Sequence, residues 1–191
     1  MNPWLAALLA ATGGYLFGSI NFALLFARAK RVDLRGQGSG NPGATNAGRV
    51  MGRWTGVVVA LLDIAKGYLP AILAVAIWGD AYGAIAGVAA ILGHITSPFA
   101  GFRGGKGVAT AGGVVLALRP LWALPVIVVF GLVFLLTKRV GIASVAGALT
   151  LIPTALLLRE RPYDVILAVG VAVLIAVRHQ RNLREAFTSS E

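Results

Sequence analysis

Long apolar runs alternate along this chain with short polar, basic runs. Seven apolar segments can be drawn, at about 3–27, 54–78, 81–97, 107–118, 120–137, 141–158 and 162–179. A helix that crosses a bilayer needs roughly 20 apolar residues, with a usual range near 17–25. Most of the segments fit. Residues 107–118 are short, at about 18 Å of helix, so 107–137 reads either as two spans or as one kinked span.

The placement of Lys and Arg decides between these readings. With seven spans and the N-terminus outside, the inner loops hold Arg28, Lys30, Arg31, Arg35, Arg49, Arg53, Arg103, Lys106, Lys138, Arg139, Arg178, Arg181 and Arg184. The outer side holds only Arg119, Arg159 and Arg161, and Lys66 lies within a span. Merging 107–137 puts the loops at 98–106 and 138–140 on opposite faces and weakens the asymmetry. The positive-inside rule therefore favours an all-α integral membrane protein of seven transmembrane helices, N-terminus outside and C-terminus cytoplasmic. One domain over 1–191 is expected, with no repeat.

Composition agrees. The chain of 191 residues is 58% hydrophobic and 13% charged, with a mean hydropathy of +0.82. A soluble domain is nearer about 45–50% apolar and about 25% charged. The net charge of +10 would suggest nucleic acid in a soluble chain; here it suits loops facing anionic lipid. There is no cysteine, which excludes disulfides and thiolate-bound metal. No basic run precedes the first apolar segment, so a cleaved signal peptide is not expected. Gly13, Gly14 and Gly18, and the pair Gly83 and Gly87, suit close helix packing in lipid.

The chemistry concentrates in two loops. Residues 34–49 read LRGQGSGNPGATNAGR, and 102–110 read FRGGKGVAT. Glycine lets backbone N–H groups turn toward a ligand, and flanking Arg and Lys make that ligand an anion. In the first loop, Ser39, Asn41, Thr45 and Asn46 add side-chain donors around Gly38, Gly40 and Gly43. The alternative is a flexible hinge of turn residues. No βαβ unit surrounds this GxGxxG, so it is no dinucleotide fingerprint. The second loop, Gly104-Gly105-Lys106-Gly107, lacks the Ser or Thr of a Walker A after its lysine. ATP hydrolysis is not indicated, and an ordinary basic loop is the plain alternative.

His94 and His179 both fall at inner helix ends. Zinc is not expected, because thiolates are absent and carboxylates scarce. Asp63 and Lys66 share a helix face at i, i+3 within a span. They read as internal support for a site or as an ion path. Ser144, near a helix start, reads as an anion contact or a packing serine.

Over nearly its whole length the chain resembles the bacterial acyl-phosphate:glycerol-3-phosphate acyltransferases, the PlsY family. The resemblance rests on GSGNPGATN at 38–46 with Arg49, on Gly93-His94 followed by FRGGKGVAT at 102–110, and on His179 with Asn182. Departures are Pro98, one place later than usual after His94, Asn21 in place of a proline, and the tail Leu183-Arg184-Glu185-Ala186-Phe187. None removes a phosphate-binding group.

The resemblance implies transfer of a fatty acyl group from acyl-phosphate to the 1-hydroxyl of sn-glycerol-3-phosphate, giving lysophosphatidic acid and phosphate. It implies a bacterial cytoplasmic (inner) membrane enzyme of phospholipid synthesis, with its site on the cytoplasmic face. Catalytic residues by the matching motifs are His179, Lys106, Arg49 and Asn182. Glycerol-3-phosphate falls to Arg49, Lys106, Ser144, His179 and Asn182. The donor phosphate falls to Ser39, Gly40, Asn41, Gly43, Thr45 and Asn46, with His94, Gly104, Gly105 and Gly107 completing the substrate-binding set. No metal, no cofactor and no nucleic acid is expected. Membrane lipid is the surrounding partner, and a monomer suffices.

An acyl-phosphate is already activated, so positioning and preorganised donors can supply most of the catalysis. His179 or the leaving phosphate can take the proton, and no covalent nucleophile is needed. Competing classes are a transporter of a phosphorylated metabolite and a lipid-binding scaffold. A transporter wants a midplane site between inverted repeats, whereas these loops share one face. A scaffold needs no pair of phosphate cradles.

Overall fold

Within the described residues, 1–158 and 160–188 of a computed structural model, the chain is helical and carries no strand. The side chains of residues 185–188 are not described, and Arg159, expected on the outer side, lies outside the described residues. The helices are α1 (Pro3–Gly18), α2 (Phe22–Ala29), α3 (Ala44–Met51), α4 (Arg53–Trp78), α5 (Asp80–Ile95) and α6 (Val108–Leu118), then α7 (Ala123–Thr137), α8 (Val140–Leu149), α9 (Leu151–Leu157), α10 (Pro162–Arg178) and α11 (Gln180–Thr188).

Five stretches among the described residues are long and apolar enough to cross a membrane: Pro3–Ala29, Arg53–Trp78, Asp80–Ala100, Pro120–Thr137 and Val140–Leu157. Val108–Leu118 is a shorter apolar helix, and α10 has 17 residues. A break at Arg119 and Pro120 separates α6 from α7, so 107–137 holds two helices. Proline has no N–H to continue the ladder and restricts the residue before it, which is why the helix ends there.

Where the sequence reads as one domain, contacts divide the chain into two compact units, one ending at Leu118 and the other beginning at Arg119. In the first unit, α1 packs along α5, and α4 packs against α3, α5 and α6. Glycine makes these approaches possible. Gly14 and Gly18 lie against the backbone of Ala86 and Ala90, and Gly67 and Gly113 bring α4 onto α6. Gly83 and Gly87 meet Val75, Leu118 and Val114, as the GxxxG spacing predicts, but Gly13 faces open space and packs nothing. Without a hydrophobic drive in lipid, such close contact is what holds helices together.

In the second unit, α7 packs on α8, and α10 on α8 and α9. No residue of α7 is buried, as suits a helix surrounded by acyl chains. Arg119 Nη2 lies 2.7 Å from Asp164 Oδ1, and Arg161 Nε 3.6 Å from Oδ2 of the same carboxylate. This ion pair ties the start of the unit to the start of α10.

Candidate phosphate-binding site

The first glycine-rich loop is organised by one buried side chain. Asn46, in the first turn of α3, donates from Nδ2 to the carbonyls of Leu34 (3.0 Å) and Gln37 (3.1 Å). Its Oδ1 accepts from the Ser39 backbone N–H at 2.8 Å. Both amide hydrogens are thus spent on the loop itself. Asn46 was expected to donate to phosphate; instead it shapes the cradle, because a buried amide satisfies its polar atoms where they are nearest.

Leu34 is buried with Ala23, Ala27, Ala47 and Val59, which fixes the loop to α2, α3 and α4. Gly40 has φ +68°, a left-handed position that glycine alone takes without strain. Gly43 has φ −141°, ordinary extended backbone at the N-cap of α3. Its value to a cradle is therefore close approach and not positive φ. Ser39 and Thr45 are exposed, and Asn41 is half-buried. Arg49 is exposed on the last turn of α3.

The second loop lies on the C-terminal end of α5. The Gly104 N–H donates to the Ile95 carbonyl at 2.9 Å, and Gly104 rests on the His94 carbonyl with no room for a β-carbon. A β-carbon on Gly105 would collide with His94 Nε2 and come within 3.3 Å of the Pro42 carbonyl oxygen. Gly105 is thus the point where the two loops and His94 converge. Gly107, at φ +85°, turns the chain into α6, and Lys106 beside it is half-buried.

Two further residues join the loops, and the sequence reading gave neither this role. Arg35 donates from Nη2 to the carbonyls of Ala100 (2.7 Å) and Arg103 (2.9 Å), crossing from the first loop to the second. Asn21 caps α2 by accepting from Leu24 N at 2.9 Å and donates to the Pro42 carbonyl at 3.2 Å. A proline at position 21 could do neither, so the departure noted there has a structural use. Asparagine's known preference for helix caps was the available signal.

In the second unit, Ser144, His179 and Asn182 gather at one end. Asn182 lies against Gly141, where a β-carbon would come within 3.0 Å of its Cβ and Cγ. Ser144 follows on the same helix; it is buried, and its hydroxyl donates to the Val140 carbonyl at 2.8 Å. His179 caps α10, and its Nδ1 lies 2.8 Å from the Ile175 carbonyl oxygen. That oxygen can only accept, so Nδ1 carries a proton. Among the described residues no three of His, Cys, Asp or Glu gather as a metal-binding group.

Glycine loops that meet beside lysine and arginine in a multi-pass helical membrane protein have the character of an anion site. A family profile described as Glycerol-3-phosphate acyltransferase matches residues 8–189. The chain is 41% identical over 188 residues to the glycerol-3-phosphate acyltransferase of Aquifex aeolicus, covering 97% of each. To that of Shouchella clausii it is 44% identical over 187 residues, covering 93% of this chain and 91% of the other. A crystal structure of PlsY (YgiH), an integral membrane glycerol 3-phosphate acyltransferase in its glycerol 3-phosphate form, superposes with a TM-score of 0.92 at 39% identity, covering 97% of this chain and 94% of that one. The lysophosphatidic acid form of PlsY gives 0.90 at 38% identity, covering 97% and 93%. The chain belongs to the glycerol-3-phosphate acyltransferase family. It is an acyltransferase of phospholipid synthesis.

Proposed function

We propose that the enzyme transfers a fatty acyl group from acyl-phosphate to the 1-hydroxyl of sn-glycerol-3-phosphate, releasing lysophosphatidic acid and inorganic phosphate. The observation that carries this reading is the convergence at Gly105 of two anion-ready loops. A reaction with a phosphate on each substrate needs two phosphate sites. The glycerol 3-phosphate and lysophosphatidic acid forms of PlsY support the acceptor and the product.

By this reading the first loop holds the donor phosphate through Ser39, Gly40, Asn41, Gly43 and Thr45, with Asn46 keeping the loop in shape. Arg49 and Lys106 are assigned to the acceptor phosphate, and Ser144, His179 and Asn182 are assigned to the acceptor by the matching motifs. The acceptor hydroxyl attacks the acyl carbonyl, the C–O bond to phosphate breaks, and phosphate leaves. The proton passes to His179 Nε2 or to the departing phosphate. His179→Gln keeps a hydrogen-bonding group but cannot take a proton, so a kcat near wild type would assign the proton to phosphate. The site is read as facing the cytoplasm of a bacterial inner membrane, in a seven-span, N-out, C-in topology, with a monomer sufficient. The cationic loops support that orientation.

The test is release of inorganic phosphate from palmitoyl-phosphate by purified protein. Release that depends on glycerol-3-phosphate and yields lysophosphatidic acid is expected. Transfer from acyl-CoA instead, or glycerol-3-phosphate-independent release, would overturn the donor assignment.

A further inference from the structure

Beneath the two loops lies a line of buried polar groups that the proposed reaction does not use. Lys66, on α4, has no exposed surface. Its Nζ lies 2.8 Å from Asp63 Oδ1, donates to the Ile20 carbonyl at 2.6 Å, and sits 5.7 Å from the centre of the Phe22 ring. Asp63 Oδ1 is 3.8 Å from His94 Nδ1 on α5. The opposite ring nitrogen, His94 Nε2, faces Gly105. The line thus runs from the α1–α2 break through α4 and α5 to the second loop. It ends beside the Pro42 carbonyl of the first loop, which Asn21 holds from the other side.

A buried ion pair is weak evidence for stability, because desolvation offsets most of the attraction. The Asp63–Lys66 pair lies within α4 at i, i+3 and joins no two helices, so an apolar pair of similar volume would pack there as well. What an apolar pair could not do is orient an imidazole. At 3.8 Å Asp63 Oδ1 makes no hydrogen bond to His94 Nδ1, but its charge lies on that side of the ring and biases which way the other nitrogen points. Here the other points at the glycine beside Lys106. His94 is itself buried, and was expected among the substrate-binding residues.

We propose that Asp63, Lys66 and His94 are positioning residues: they set the gap between the two glycine loops and act on the acceptor phosphate through Gly105 and Lys106, without touching substrate. This rests on the reading that these loops bind phosphate.

The test uses the purified full-length protein in detergent, with His94→Leu, His94→Gln, Asp63→Asn and Lys66→Met. Glycerol-3-phosphate binding is measured directly without donor, then the rate against glycerol-3-phosphate at saturating palmitoyl-phosphate, and the melting temperature of each variant. His94→Leu should raise the Kd and KM for glycerol-3-phosphate by about tenfold or more while kcat changes little. His94→Gln places an amide nitrogen near the position of Nε2 and should recover most of that loss. Asp63→Asn and Lys66→Met should shift KM in the same direction as His94→Leu, by less.

Unchanged KM in His94→Leu would overturn the proposal. So would Leu and Gln variants equally impaired, with lowered melting temperature and no split between KM and kcat. If His94→Leu does not fold, the Kd of His94→Gln and Asp63→Asn decides: Asp63→Asn weaker than His94→Gln supports the proposal, and both at wild-type affinity refute it. Because binding is measured without donor, a wrong donor assignment would leave this result standing.

Discussion

Arg35 donates from Nη2 to the backbone carbonyl of Arg103 over 2.9 Å, joining residues of the two glycine-rich loops. With the second bond to Ala100, one guanidinium holds the loops together from the rim while His94 meets Gly105 from below. Both bonds leave one nitrogen, Nη2, whose N–H directions the planar guanidinium fixes.

Arg35→Ala should therefore lower kcat/KM by roughly tenfold, since an exposed charge-assisted pair contributes about 1–2 kcal/mol. Arg35→Lys should recover little, because a freely rotating ammonium lacks the fixed N–H directions of the guanidinium. Steady-state rates against both substrates provide the check. Full activity in Arg35→Lys would show that charge alone matters there.

Lys106→Ala should lose activity chiefly through acceptor binding. An ammonium paired to phosphate contributes about 1.5–3 kcal/mol, or roughly tenfold to a hundredfold in affinity. The measurement is the glycerol-3-phosphate dependence of rate at saturating donor. An unchanged profile would remove Lys106 from the site.

Much of this arrangement was legible, and the limits have physical causes. The apolar runs located the long helices, because a spanning helix must be apolar over its length. The Gly83 and Gly87 spacing pointed to helix contact that the structure shows. The polar run before α4 read as loop, yet Ala44–Met51 is a helix, α3, with Gly48 packed on Gly56. That contact is between backbones, so no side-chain periodicity announces it. The break between α1 and α2 was hidden because both flanks are apolar, and only Asn21 marks it.

The candidate site divides in the same way. Local motifs pointed to Gly105 and Lys106, since glycine and charge are visible in a short run. His94 was expected in the binding set, but its contact with Gly105, and that of Pro42, is not visible in a short run, and Arg35 and Asn21 act on carbonyls that any residue could supply. Gly38 and Gly40 have positive φ, while Gly43 caps a helix with extended backbone, a difference the motif spacing does not announce.

Gly105→Ala should be far more damaging than Gly112→Ala. A β-carbon on Gly105 meets His94 and the Pro42 carbonyl, whereas at Gly112, inside α6, it meets nothing within 4 Å. Alanine in a helix interior is favoured over glycine by about 0.5–1 kcal/mol, so Gly112→Ala should keep or raise the melting temperature. Turnover of folded protein separates the two variants, with Gly105→Ala expected to lose at least tenfold, about 1.4 kcal/mol. Equal turnover would mean that the loop junction tolerates displacement.

Catalysis should need neither metal nor nucleotide. Arg49, Lys106 and the loop N–H groups can neutralise both phosphates, and the donor's mixed anhydride carries its own driving force. The chain has no cysteine, and the buried carboxylate near the loops, Asp63, is engaged by Lys66 at 2.8 Å. That pairing leaves the carboxylate ill placed to hold a divalent cation, which takes several oxygen ligands. Phosphate release in detergent should therefore survive EDTA and proceed without ATP. If chelation abolished turnover and Mg²⁺ or Zn²⁺ restored it, the assignment of charge stabilisation to protein donors alone would be wrong.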